Sequence, residues 1–529
     1  MPGNGDDHYD GPLVTRATWS GGGISGRVDR AYDDDLRLRT ISVNGANAVT
    51  YAYDADSLLR QAGSLVLNRD PETGLLSGTT LGNVTTAYTY NGFGELSSMT
   101  SSFGAAALYS EAYTRDALGR IVTRVETIQG TTTTWEYDYD AAGRLETVTK
   151  NGLLASQYAY DANGNRLVKQ TPTVYETGTF DAQDRMLTYA GATYTYTPNG
   201  EMLTKTDAAG TTSYQYDVFG NLLGVELPNG TQLRYKVDGR NRRIERSVNG
   251  VVTQRWLWQG QLSPIAELNA SNAVVSRFVY ATRVNVPDSM IRSGVTYRIL
   301  HDHLGSPRLI VNTSTGAIAQ RMDFDEWGIV TTDTNPGWQP FGFAGGMLDK
   351  PVGLTRFGTR DLEITSGRWM TKDLRGFGAL DSNLYVYSAN DPLNEQDPAG
   401  LQGIPGKVFK KLLKPAAVAL CSGERSAEVV RDRSDEQFDS LFEEEGESPR
   451  TVYPELQEWS LTQKICEVAD WTPEDALTKS SEGADKKDPG LFEEFKQEFP
   501  AQVQRAKDVV SKGVQKCKEF LFGADDDGE

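Results

Sequence analysis

Apolar and polar positions alternate along most of this chain, and the alternation stops at one place. Tyr158-Ala159-Tyr160 and Tyr194-Thr195-Tyr196 put ring, small or polar residue, ring in succession. A period of two places both rings on one face of a β-strand. A turn signal follows each such run, as in Tyr139-Asp140-Ala141-Ala142-Gly143-Arg144-Leu145, Tyr160-Asp161-Ala162-Asn163-Gly164-Asn165-Arg166-Leu167 and Tyr216-Asp217-Val218-Phe219-Gly220-Asn221-Leu222. Asp bonds the backbone two residues on and Gly accepts positive φ, so each copy predicts a hairpin with a returning Leu strand. The anchors Asp33, Asp54, Asp70, Asn91, Asp116, Asp140, Asp161, Asp181, Thr197, Asp217 and Asp238 recur about every twenty residues. One hairpin cannot bury its aromatic face, whereas stacked copies can. The prediction is a mainly β chain, a long twisted antiparallel ribbon without sustained helical periodicity.

Beyond residue 250 the repeats lengthen, and beyond 401 they end. Residues 360–401, RDLEITSGRWMTKDLRGFGALDSNLYVYSANDPLNEQDPAGL, close the β part and place one Arg and two Asp ahead of Asp397-Pro398-Ala399-Gly400-Leu401. Residues 402–529 then carry 18 Lys and Arg against 28 Asp and Glu, contain a single tyrosine (Tyr453), and lose the alternation. Val408 to Leu413 predicts a short basic amphipathic helix ended near Pro415; Phe492 to Phe499 and Val503 to Leu521 predict two more. The acidic stretch from Arg431 to Glu447 predicts an exposed or partly disordered segment.

Composition narrows the function. The 529 residues carry a net charge of -19, which argues against nucleic-acid binding by the shell. No apolar run reaches the length of a membrane-spanning helix, and Met1-Pro2-Gly3-Asn4-Gly5-Asp6-Asp7 has no signal-peptide pattern, so synthesis in the cytoplasm is expected. The three cysteines, Cys421, Cys466 and Cys517, match no compact metal motif or closed disulfide framework. Alternation brings His301 and His303 to one face with Asp302 between them, but no third ligand is evident, so a hydrogen-bonded turn is expected and no metal or cofactor. The tail holds no histidine, which excludes His-dependent nuclease chemistry there. Asp488 with Glu494-Phe495-Lys496 has the spacing of a metal-dependent nuclease set, but a solvated helix face accounts for it better.

The ordered segments HDHLGSPR (301–308), PFGFAGG (340–346), RFGTRD (356–361), NLYVYSAND (383–391) and DPAGL (397–401) resemble the RHS/YD-repeat family and its RHS repeat-associated core. The resemblance covers residues 27–401 and divides the chain into an N-terminal segment (1–26), YD repeats (27–250), a core with a plug (251–401) and a variable C-terminal domain (402–529). It implies a spiralling β-ribbon shell around its own C-terminal toxin as cargo, with a plug that works as a single-turnover aspartic self-cleaving peptidase. Carried over by position, the catalytic pair would be Asp373 and Asp397, the assisting group Arg360, and the cut would fall between Leu401 and Gln402. Two carboxylates in contact share one proton and supply a base and an acid together. This sequence departs from the family at Leu374, where Pro is usual, at Leu362-Glu363 in place of Tyr-Asp, and at Asp381-Ser382, which interrupts a Gly-Gly pair.

The resemblance also implies interbacterial competition, a cognate immunity protein, and delivery into target cells by a secretion system through a spike or shell-completing partner. The ribbon is expected to make about one turn, forming a partial shell around a tail domain of radius of gyration near ~14 Å. An alternative expectation is a noncatalytic YD-repeat surface protein whose exposed aromatic rings stack on carbohydrate.

Overall fold

The structure, a computed structural model, describes residues 4–376 and 381–401. Gln402, the three cysteines and the helices and acidic stretch expected after residue 402 lie outside the described residues.

The alternation is realised as one antiparallel ribbon of 32 strands, from Asn4–Asp10 to Val330–Asp333, in which each strand pairs with the next in sequence. Among the described residues there is no α-helix, only short 3-10 turns such as Phe343–Gly345 and Ser388–Asn390. The ribbon already includes Asn4–Asp10 and Leu13–Gly21, so the expected limit at residue 27 falls inside it.

Each repeat closes in the same way. At Asp140, Oδ1 accepts the N–H of Ala142 (2.9 Å) and of Arg144 (3.0 Å), and Oδ2 accepts Arg144 Nε at 2.7 Å. Gly143 stands at φ 83°, where an L side chain is strained. Repeats lock to their neighbours in both directions. The Tyr160 hydroxyl donates back to the Leu145 carbonyl (2.8 Å), while Arg144 reaches forward to the Asp161 carbonyl (2.7 Å), its guanidinium 4.8 Å from the Tyr160 ring centre. A β-bulge accompanies the turn: Ala159 pairs with Val168 and Tyr160 with Arg166, leaving Leu167 extra. Such a bulge adds twist and bends the ribbon.

The bending brings the ribbon back onto itself. Lys236 Nζ donates to the Gly22 carbonyl (2.6 Å), Asn272 to that of Gly23 (3.1 Å), and the Asn83 N–H to that of Thr313 (3.2 Å). The passes touch at sequence separations of 214 to 249 residues, so the ribbon over 4–333 exceeds one turn. Contact is close: a Cβ on Gly26 would lie 2.7 Å from Leu257 Cδ1.

A second, four-stranded sheet forms the plug from Met347–Asp349, Leu354–Phe357, Arg360–Glu363 and Arg368–Trp369, again antiparallel in order. It packs on the aromatic face of the ribbon. Leu354 and Met370 enter a core with Tyr194, Tyr214 and Tyr235; Leu393 enters another with Tyr113, Tyr137 and Tyr158. Burial of such a side chain contributes about 1.5–3 kcal/mol. The tyrosines of these two cores are covered, whereas Tyr9, Phe93, Tyr175 and Phe219 remain exposed.

Candidate active site

Strand Arg360–Glu363 is buried along its whole length, and each of its residues has a separate task. Arg360 faces the end of the plug. Its Nη2 lies 2.7 Å from an Asp373 carboxylate oxygen and 3.1 Å from one of Asp397. Its Nε donates to the Gly400 carbonyl at 2.5 Å, and the guanidinium lies 4.2 Å from the Trp369 ring centre. Asp361 bridges Arg243 (3.0 Å) and Arg356 (2.8 Å). Leu362 joins the core with Phe357, Trp369 and Tyr387, and Glu363 meets Lys205 at 3.0 Å.

The three residues carried over from the family segments thus meet on one nitrogen. They come from separate places: a strand, the turn after Trp369, and the Asp-Pro turn. Exposures are 1% for Arg360, 4% for Asp373 and 3% for Asp397. Asp373 Oδ1 accepts the Arg375 N–H (2.8 Å), and its own N–H donates to the Leu384 carbonyl (3.1 Å). Asp397 Oδ1 accepts the Leu401 N–H at 3.0 Å. Burial pushes the Asp397 carboxyl above its ordinary value; Arg360 and the Leu401 N–H pull it down, the Asp373 charge pushes it up, and the net shift is upward. Burial likewise draws Arg360 below its ordinary value, against the opposing pull of both aspartates.

The 397–401 segment is clamped by its backbone. Thr359 N–H donates to the Ala399 carbonyl (3.0 Å). Gly400, at φ 64°, leaves no room for a side chain: a Cβ there would lie 2.4 Å from the Phe357 carbonyl oxygen. On the facing strand end, a Cβ on Gly358 would lie 2.1 Å from the Ala399 carbonyl oxygen. Residue-type reasoning missed Trp369, Thr359, Gly358 and the Leu384 carbonyl, since each acts through position and not through a titratable group.

The departures from the family are accommodated locally. Leu374 is exposed, and Asp381 Oδ1 caps the Asn383 N–H at 2.9 Å. The two histidines make backbone contacts: His301 Nδ1 to the Asp302 carbonyl (3.0 Å) and His303 Nε2 to the Leu393 carbonyl (2.8 Å). Asp302 Oδ1 accepts the N–H of Leu304 and of Ser306, the repeat turn once more. Among the described residues no group of three or more His, Cys, Asp and Glu is placed to hold a metal, and no helix is long and apolar enough to cross a membrane.

Comparison with known proteins places this architecture. The family model of the Teneurin YD-shell matches residues 5–393. Teneurin-4 of Mus musculus is 25% identical over 417 residues, which are 73% of this chain and 14% of that protein. Double-stranded DNA deaminase toxin A of Burkholderia cenocepacia (strain H111) is 27% identical over 361 residues, 63% of this chain and 23% of that toxin. The chain therefore spans under a quarter of the length of either relative. Among solved structures, the Tc holotoxin pore of Photorhabdus luminescens superposes with a TM-score of 0.60 at 17% identity, over 72% of this chain and 21% of that one. With a matched region running from the first strand of the ribbon to the edge of the Asp-Pro turn, this chain belongs to the Teneurin YD-shell family.

Proposed function

We propose that the chain is the carrier part of a YD-repeat toxin, which cuts itself once between Leu401 and Gln402 and so frees residues 402–529 as the effector. The observation that carries this reading is the meeting of Asp373 and Asp397 on one Arg360 nitrogen, with Asp397 also gripping the Leu401 amide. Two relatives support the carrier role by their own nature, one a toxin and one a holotoxin pore.

The chemistry follows from a shared proton. One carboxylate takes a proton from water as the water oxygen adds to the Leu401 carbonyl carbon. The protonated partner gives its proton to the Gln402 nitrogen, and the C–N bond breaks. A Leu401 carboxylate and a free Gln402 amine result, and the pair again holds one proton. Arg360 keeps both carboxylates oriented, and its bond to the Gly400 carbonyl fixes the strand next to the junction. Because the substrate is tethered, proximity supplies much of the rate and one turnover is enough.

The full chain, purified and followed with time on a denaturing gel, should give two bands, the smaller beginning at Gln402 by mass spectrometry. Asp373→Asn and Asp397→Asn should each remain one band. Prolonged survival of the unaltered chain as one band would overturn the reading. Export into competitors and neutralisation by an immunity protein belong to the same proposal: residues 402–529 expressed alone should arrest bacterial growth, and a cognate immunity protein should restore it.

A further inference from the structure

Five of the repeats put an arginine four residues after their Asp, at Arg37, Arg120, Arg144, Arg185 and Arg242, each bonded to that Asp. In the repeats opened by Asp161 and Asp217 an asparagine stands there instead, Asn165 and Asn221, exposed by only 1% and 2%. These are the two places where the plug inserts arginines of its own. Arg368 donates to Asn165 Oδ1 (3.0 Å) and to the Asp184 carbonyl (2.7 Å). Arg356 donates to Asn221 Oδ1 (3.1 Å) and to the Asn241 carbonyl (3.3 Å).

The two sites are built alike. In each, the asparagine amide donates onward to the next repeat, Asn165 to Asp184 Oδ1 (2.7 Å) and Asn221 to Asn241 Oδ1 (3.1 Å). In each, that acceptor occupies the left-handed turn position usually held by Gly, at φ 59° for Asp184 and 60° for Asn241. In each, the plug arginine takes the carbonyl of that same residue. The twin arrangement supplies from the plug an arginine that the repeat lacks.

We propose that Asn165 and Asn221 are sockets that set the register of the plug on the ribbon and thereby act as positioning residues for Arg360. Arg356 and Arg368 lie on the two strands that flank Arg360–Glu363, one on either side. Arg356 further holds Asp361, the neighbour of Arg360, at 2.8 Å. With both outer strands pinned to fixed repeats, the middle strand has one position, and the Arg360 side chain reaches both aspartates from it. The positioning part rests on the self-cleavage reading; the docking part does not.

The test uses the full chain with Asn165→Arg and Asn221→Arg, which give the repeat back its own arginine and exclude that of the plug. Each should slow self-cleavage at least tenfold, and the reversed pairs Asn165→Arg with Arg368→Asn, and Asn221→Arg with Arg356→Asn, should recover most of the loss. Arg37→Asn, whose guanidinium meets Asp33, Asp35 and Ser57 of the ribbon, should cleave at the parent rate. A mis-set Arg360 holds Asp397 less well, so the alkaline limb of the cleavage profile should move to higher pH in the single variants. Hydrogen exchange supplies the second readout: amides of the plug strands 354–369 should exchange at least tenfold faster, while those of the strand Val84–Tyr90, whose core holds no plug residue, stay unchanged. Parent-like cleavage and an unmoved pH profile in both single variants would overturn the positioning role; parent-like plug exchange would overturn the sockets. If the unaltered chain does not cut itself, the self-cleavage reading fails, and the exchange result still decides the sockets.

Discussion

Replacing Arg360 by Met removes a cation that two buried carboxylates share while keeping most of the volume. Arg360→Met takes from Asp373 and Asp397, 4% and 3% exposed, the guanidinium they share. Removing one partner of a buried pair costs about 3–5 kcal/mol. Loss of the bond to the Gly400 carbonyl and of the stacking on Trp369 acts in the same direction, though such terms do not add. Part of the cost is recoverable by proton uptake. Asp397 already lies above its ordinary 3.8 in the native site, and it rises further once the guanidinium is gone.

The folded variant then holds more protons than the unfolded chain above pH 3.8, so its stability is lost as pH rises through the raised value. Hydrogen exchange of the Met370 and Asp373 amides, bonded to the Asp361 and Leu384 carbonyls, reads this directly. Their opening free energy should fall by about 3–5 kcal/mol at pH 7 and by less than half of that near pH 4. Cutting after Leu401 leaves all three groups in the shell fragment, so the unaltered protein remains a valid reference. Self-cleavage should drop roughly a hundredfold or more. A loss below about 1 kcal/mol, or one equal at the two pH values, would refute the shared-cation account.

Three further outcomes are expected. Gly400→Ala forces a Cβ against the Phe357 carbonyl at a left-handed position, so it should abolish self-cleavage and destabilise the plug by about 1–3 kcal/mol, measured by urea titration, with ribbon exchange unaffected. Asp140→Ala removes two turn hydrogen bonds and the pairing with Arg144, and should lower local exchange protection in residues 131–150 by about 1–3 kcal/mol, measured by hydrogen exchange. Burial draws His303 from 6.5 down to about 4, so the native site favours the neutral ring, and stability falls as pH drops from 6.5 towards 4; relative to His303→Gln, the unaltered protein should lose about 3 kcal/mol over that window in urea titrations.

The ribbon was legible because its signals are local. Tyr-Asp-x-x-Gly fixes a turn from within five residues, and Asp140, Asp161 and Asp217 close their turns through their own oxygens, as the residue types require. Alternation in Tyr158-Ala159-Tyr160 likewise specifies a strand before any neighbour is known. The identities of Arg360, Asp373 and Asp397 came from matching motif segments, and their chemistry from the properties of paired carboxylates. Nothing local says that these groups meet, because 37 residues separate Arg360 from Asp397 and the contact depends on how the plug folds.

Tertiary structure alone decided the rest. That the ribbon passes itself after 214 to 249 residues depends on accumulated twist and bulges, which no single repeat encodes. That Tyr113, Tyr137, Tyr158, Tyr194, Tyr214 and Tyr235 turn inward appears only once the plug covers them. Asn165 and Asn221 read as ordinary substitutions within a repeat until Arg368 and Arg356 are seen to enter the spaces they leave. A residue type states what a group can bond; only the folded chain brings the distant partner to it, because burial and register are properties of the whole sheet.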